Sequence, residues 1–400
     1  MKIKKMFYVG ILMAALIVAI TGCEYDAPTA MYYEKQKPTI QTSITQLDPS
    51  NEAGPGVNYI TIIGENFSSE REKNKVYFDG FQAEIVDNSE ASIKVRRPNR
   101  SGDSITVKVV TEGALLLAEH RPYRIPPAYT AYGDFIGNDE LSAVAVDKDE
   151  NVYVIQRTPR EIYKITPAQE KTLLGEASAT VTGAKIGPGG DLFLLMNQRT
   201  ISRVNVNTGE ETEWIDLGKR ISYGDFDSDG NFYVSGRRVG ITAIAPDLTT
   251  KTIDVYLRDE IFCMRVYNGY VYLLVETAAP DENTPRLAIW KHKILDSAGT
   301  LGDKELALDI STTGEYAEST INDFTFSQDG TIYIGTDYAQ PVLMVKPDGS
   351  RDMFYKSILP TSAVKLVWGN GTNLYMIQGG DQRNLLRIDM GVAGAPYFGR

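Results

Sequence analysis

From residue 141 onward the chain alternates apolar and polar positions in short bursts divided by turns. One burst, Asp225-Phe226-Asp227-Ser228-Asp229-Gly230-Asn231-Phe232-Tyr233-Val234, reads as strand, tight turn, strand. Phe226, Phe232 and Val234 alternate with polar neighbours, the two-residue period of a half-buried strand. Asp229-Gly230-Asn231 makes the turn, because Gly adopts positive φ freely and Asn tolerates it. The phrase returns around Val152-Tyr153-Val154, Leu192-Phe193-Leu194, Tyr270-Val271-Tyr272, Ile332-Tyr333-Ile334 and Leu374-Tyr375-Met376.

The aromatics Tyr153, Phe193, Tyr233, Tyr272, Tyr333 and Tyr375 succeed one another at about 40 residues, the period of a four-stranded propeller blade. Six blades are therefore predicted over residues 141–400. The interval from Tyr272 to Tyr333 is longer by roughly half a repeat. Residues 278–286 and 296–305, rich in proline and charge, are predicted to be loop insertions in the fourth blade. In the second blade, strands are predicted at residues 182–186, 192–196, 201–206 and 212–217.

Residues 38–126 form a separate unit. Short alternating strands are predicted at residues 40–47, 58–64, 75–78, 82–86, 92–96 and 104–111. Asp-Pro, Gly-Pro-Gly, Asp-Gly and Ser-Gly-Asp turns divide them, the pattern of a β-sandwich. Residues 127–140 link the two units and open stiffly on Pro126-Pro127. Within the linker, residues 129–135 are predicted to be a strand that closes the ring beside residues 395–400, leaving no long open edge. The fold class is all-β, a sandwich followed by a six-bladed propeller.

The N-terminus reads as a targeting segment. Lys2, Lys4 and Lys5 precede an apolar run over residues 7–20, shorter than the roughly 20 residues a spanning helix needs. Ile20-Thr21-Gly22-Cys23 follows and resembles a bacterial lipobox. That resemblance implies removal of residues 1–22, lipidation of Cys23, and residues 23–37 as a lipidated tether, with membrane attachment through lipid alone. The formal charge of −11 argues against nucleic acid and against broad attraction to anionic membranes. Cys263, the other cysteine, sits in the apolar Ile261-Phe262-Cys263-Met264 and reads as a buried, inert thiol.

Chemistry is sparse. His120 and His292 are the only histidines and fall in different units, and no metal-spaced His/Cys set or glycine-rich phosphate loop exists. Asp227-x-Asp229-Gly230-Asn231 lacks the twelve-residue pattern and terminal Glu of a calcium loop, and its recurrence marks it as hairpin chemistry. No metal, cofactor or catalytic residue is assigned. The loops joining second and third strands collect on one propeller face, and these are rich in arginine. They carry Gln156 and Arg157, then Asn197, Gln198 and Arg199, then Arg237 and Arg238, then Arg286, then Asp337 and Tyr338, then Gln382 and Arg383. Arginine presents a planar fork suited to carboxylates, sulfates or sugar diols. Two readings stay open: a ligand face, or arginines paired with carboxylates on the next blade to hold the ring.

Two resemblances follow. Tyr59-Ile60-Thr61-Ile62-Ile63-Gly64-Glu65-Asn66-Phe67, Val76-Tyr77-Phe78-Asp79-Gly80 and Ile105-Thr106-Val107-Lys108-Val109 resemble an IPT/TIG domain, an immunoglobulin-like fold, and the Asp-x-x-Gly-Asn-x-Tyr-Val phrase resembles NHL-repeat propellers. Together with the lipobox they resemble the surface glycan-binding lipoproteins of Bacteroidetes glycan-utilisation loci. The resemblance implies a non-catalytic protein on the outer membrane, facing the cell exterior, that binds a polysaccharide, including acidic ones, and passes it to an outer-membrane transporter complex. The alternatives are a scaffold for a protein partner, or a polysaccharide lyase or hydrolase using a rim carboxylate or Tyr.

Overall fold

The computed structural model describes residues 40–381 and 383–399. The expected signal segment, Cys23 and its tether, Gln382 and Arg400 lie outside the described residues.

Two four-stranded antiparallel sheets form the sandwich. One runs in the order Ser43–Asp48, Tyr59–Glu65, Ser92–Arg96, Ile85–Asn88, and the other Phe81–Ala83, Asn74–Phe78, Gly102–Thr111, Ala118–Ile125. Alternation selects the core. Ile105, Val107 and Val109 point inward from one strand and meet Ile60, Ile62, Val76, Phe78, Ile93 and Val95. The Gly-x-Asn-Phe element has a steric cause: a Cβ on Gly64 would stand 2.0 Å from the Ser43 carbonyl oxygen and 2.5 Å from the Phe67 ring. Ala118–Ile125 was not predicted, because His120, Arg121, Pro122 and Arg124 break its apolar alternation, leaving Ala118, Tyr123 and Ile125 to face the core.

Six further four-stranded sheets make the propeller. Their innermost strands are Leu141–Val146, Gly183–Ile186, Tyr223–Phe226, Glu260–Tyr267, Ile321–Phe326 and Ala363–Trp368. Each blade packs face to face with two neighbours, so a second strand is covered on both sides. Val152–Gln156, Leu192–Leu195 and Phe232–Ser235 are buried throughout, not half-buried as the alternation predicted. Outer strands such as Lys171–Glu176 and Thr250–Ile253 are mostly exposed. Aromatic packing ties blades together: Phe226 stacks on Phe232 at 4.1 Å, and Phe193 of the preceding blade meets both edge-on.

The hairpins are pinned by their first aspartate. Asp227 accepts from the Asp229 and Asn231 backbone N–H groups at 3.0 and 2.8 Å, from Asn231 Nδ2 at 2.8 Å and from Tyr233 Oη at 2.9 Å. Asp147 repeats the arrangement with Asp149, Asn151 and Tyr153. The carboxylate is thus filled by protein donors.

Two expectations change. Leu301–Asp309 is the outer strand of the fourth blade, not part of an insertion: its charged residues face solvent while Leu308 packs inward. The ring-closing strand is only Thr130–Ala131, and it pairs with Asn384–Asp389 as the outermost strand of the sixth blade, not with the C-terminal segment. That segment crosses the channel instead. Gly394 bridges Ser327, the Ala395 N–H donates to the Phe326 carbonyl at 3.0 Å, and Tyr397 Oη donates to the Ile186 carbonyl at 2.5 Å.

The sandwich docks on the fifth blade and the connection after it. Tyr59 Oη donates to Asp352 at 2.8 Å, Arg96 pairs with Asp352 at 3.1 Å and Lys356 pairs with Glu84 at 2.9 Å. Buried Arg97 lies against the Tyr355 ring and donates to the Ala53 and Gly54 carbonyls.

Candidate functional site

The inner strands turn charge into the channel. Aligned on their hairpins, Lys185, Asp225 and Arg265 fall 40 residues apart. Lys185 Nζ pairs with Asp225 at 2.9 Å, and Arg265 holds both Asp323 oxygens at 2.7 and 2.9 Å. Asp225 also accepts the Val266 N–H at 2.8 Å, while Asp323 accepts the Leu366 N–H at 2.9 Å and the Cys263 thiol at 2.7 Å. Lys365 completes the alternation, so blades two to six contribute plus, minus, plus, minus, plus. Burial pushes the Cys263 thiol up to about 12, in keeping with an inert group.

At one end Ala395, Pro396 and Tyr397 line the channel with Phe326 and Trp368, closing it down. At the other end it opens into a cavity of about 480 Å³ on the face where second and third strands join. Register shifts at the start of the inner strands of blades one, four, five and six re-aim residues toward this mouth. Ser142, Phe262, Asn322 and Val364 line it as a result. Lys365 and Tyr223 sit between mouth and channel, the Lys365 ammonium 5.4 Å from the Tyr223 ring centroid. Arg157 stands on the wall, shared with a neighbouring recess of about 260 Å³ that Glu140, Gln378 and Arg383 also line.

The arginines predicted on this face divide into two groups. Arg237 and Arg238 meet Glu260 of the next blade at 2.5 and 3.6 Å, and Arg383 pairs with Glu140 at the start of the first. Arg199 meets Asp216 at 3.7 Å and Arg286 meets Glu276 at 2.9 Å, each within its own blade. Arg157 and Lys365 have no carboxylate within ion-pair distance among the described residues. Arg157 and Arg286 line the mouth; Arg199, Arg237 and Arg238 do not.

The other candidates scatter. Gln156 is buried and donates to Asp139 at 3.0 Å, away from the mouth. Gln198 and Arg199 belong to the third strand, Gln198–Val204, and Asn197 accepts from Ser222 Oγ at 3.4 Å. Asp337 caps the Thr320 N–H at 2.8 Å, and Tyr338 donates to Glu315. Lys365, Tyr223, Asn322 and Glu318 escaped prediction. The signal for the first was a charge inside an apolar inner strand, Ala363-Val364-Lys365-Leu366-Val367.

Burial pushes Tyr223 up to about 12, and the Glu315 hydrogen bond raises Tyr338. His292 is buried beneath the fourth blade's outer strand, where Nδ1 donates to the Gly302 carbonyl and Nε2 accepts from Tyr256, each at 2.9 Å.

Sandwich, closed ring and open mouth define an all-β class with an immunoglobulin-like domain before a six-bladed propeller. Residues 42–120 match the IPT/TIG domain family. No curated protein matches the chain by sequence. Among solved structures, an auxiliary nutrient binding protein from Bacteroides thetaiotaomicron VPI-5482 is similar with a TM-score of 0.52 at 11% identity, over 88% of this chain and 98% of that one. One from Bacteroides ovatus ATCC 8483 gives 0.50 at 11% identity over the same shares. A luciferin-regenerating enzyme gives 0.54 at 11% identity, over 68% of this chain and 98% of its own. At these identities the likeness is one of fold.

Proposed function

We propose that the protein is a non-catalytic, lipid-anchored surface protein of the outer membrane that binds the acidic end of a glycan nutrient at the channel mouth and passes it to an uptake system. One observation carries the reading: a cavity of about 480 Å³ in which Arg157 and Lys365 form no ion pair among the described residues, while Glu276 of the same lining is held by Arg286. Beneath it Lys185 pairs with Asp225 and Arg265 with Asp323, so Lys365, whose charge also acts on Asp323, is the channel's surplus cation and joins Arg157 in facing a ligand. A uronate carboxylate suits them, with Asn322, Ser142 and Thr182 as neutral hydrogen-bonding neighbours for hydroxyls. The Bacteroides nutrient-binding proteins, alike over both domains, lend support.

The test is affinity electrophoresis in gels containing acidic or neutral polysaccharides, with recovered glycan checked for shortening. Retardation by intact acidic glycan, lost in Lys365→Met, is expected. Shortened product would move the protein to the lyase or hydrolase class. No retardation by any glycan, with an outer-membrane protein copurifying, would favour a scaffold.

A further inference from the structure

The sandwich ends in an apolar tip that no element covers among the described residues. After Gly102–Thr111 the chain runs Glu112-Gly113-Ala114-Leu115-Leu116-Leu117. Leu115, Leu116 and Leu117 are 58%, 64% and 43% exposed, and Ile40 beside them is 52% exposed. A solvated turn is ordinarily built from polar residues, so consecutive exposed leucines mark a contact surface. The loop is not slack. The Leu115 N–H donates to the Ile40 carbonyl at 2.9 Å, Thr42 Oγ1 donates to the Leu116 carbonyl at 3.2 Å, and Ile40 bridges Ala114. Backbone pairing holds the leucines outward while Ala118 returns to the core.

The position of the tip says what meets it. Ile40 is where the described chain begins, so the tip is built around the point where residues 1–39 join the sandwich. From Cys23 to Ile40 is 17 residues, a span of at most about 60 Å however the chain runs. A chain anchored at Cys23 keeps this tip near the bilayer.

We propose that Ile40 and Leu115–Leu117 dock into the interfacial zone of a lipid bilayer, an inference that rests on the lipid-anchor part of the function proposed above. Apolar contact suits an acidic protein, because it needs no anionic lipid and resists salt. The area is small, but the tether makes the contact intramolecular and raises its effective concentration.

The test uses the chain from Glu24 onward, which keeps every described residue. An N-terminal hexahistidine tethers it to phosphatidylcholine vesicles carrying nickel-chelating lipid, supplying an anchor whether or not Cys23 is lipidated in the cell. A polarity-sensitive dye is attached through Leu116→Cys or, as control, through Leu173→Cys, exposed on the first blade's outer strand. Buried Cys263 does not compete for the label. The dye at 116 is expected to shift to the blue and to be quenched by lipid-borne nitroxide at low and high salt alike, while the dye at 173 does neither. A dye at 116 that stays in water overturns the proposal. So does a shift that needs only rising protein concentration without vesicles, which would assign the tip to a second copy. The mass of the native protein reports separately whether Cys23 carries lipid, so the anchor and the tip fail independently.

Discussion

Arg265 and Arg157 belong to the same channel, one inside it and one at its mouth, and their surroundings differ completely. Arg265 is supplied with a carboxylate by the next blade, and the Leu366 carbonyl accepts from it as well. Arg157 reaches a cavity wall where Glu276 is held by Arg286, and forms no ion pair of its own among the described residues. In a ring of repeats, a carboxylate of the same or the neighbouring blade decides whether a cation is spent on assembly or left for something outside. The arginine-rich loops held both kinds, and Glu260, Asp216, Glu276 and Glu140 sort them.

The contrast breaks most strongly from the inside. Asp323→Ala leaves Arg265 buried without its carboxylate and orphans the Leu366 N–H, so a loss of about 3–5 kcal/mol is expected in urea unfolding. A loss under about 1 kcal/mol would mean that water or Asp225 takes over the arginine, and the channel pairs would no longer count as ring-holding.

Acid should act on the interior next. Burial lowers His292, and for Asp323 the upward push of burial is outweighed by Arg265 and Lys365, so both sit below their ordinary values. The unfolded chain therefore takes up these protons first. Stability is full above the unfolded values and falls as pH drops, from about 6.5 for His292 and from about 3.9 for Asp323. Thermal melts between about pH 7 and pH 2 should decline in that order, and a flat profile would contradict the buried assignments.

The smallest effect on folding belongs to the mouth. Arg157→Ala should leave stability within about 0.5 kcal/mol while weakening an acidic glycan roughly tenfold or more, as loss of a charged hydrogen bond does. Arg199→Ala and Arg237→Ala should change neither by a comparable amount. Equal losses of binding in all three would return the site to the whole rim.

Much of the architecture was legible because each blade repeats its own turn chemistry. Asp227, Gly230, Asn231 and Tyr233 serve one hairpin and sit within seven residues of one another. The strand Ala118–Ile125 was not legible, since Arg121 and Pro122 disguise an alternation that only the opposing sheet makes meaningful. The mouth was half legible. Loop position predicted Arg157 and Arg286 on one face, and both line the cavity there, but which arginines meet a carboxylate depends on contacts within and between blades that sequence spacing does not encode. Lys185, Asp225 and Arg265 stand at equal spacing, yet Asp323 and Lys365 lie two residues further from their hairpins than Lys185 and Asp225 do, opposite Gly335 and Ile377, and so fall outside that column.

The only described strand from the N-terminal side in the sixth blade is Thr130–Ala131, a clasp two residues long, helped by Asn370 and Tyr375 bonding to Glu150 across the seam. In the proposed function, drag on a glycan at the mouth would be transmitted toward a lipid anchor at the N-terminus, and the linker through that clasp is one path. The other path runs through Asp352, Tyr355 and Lys356, where the sandwich grips the fifth blade and the connection beyond it. The grip lies in parallel with the clasp, so under the proposed function the load would be shared and the two-residue strand would not carry it by itself.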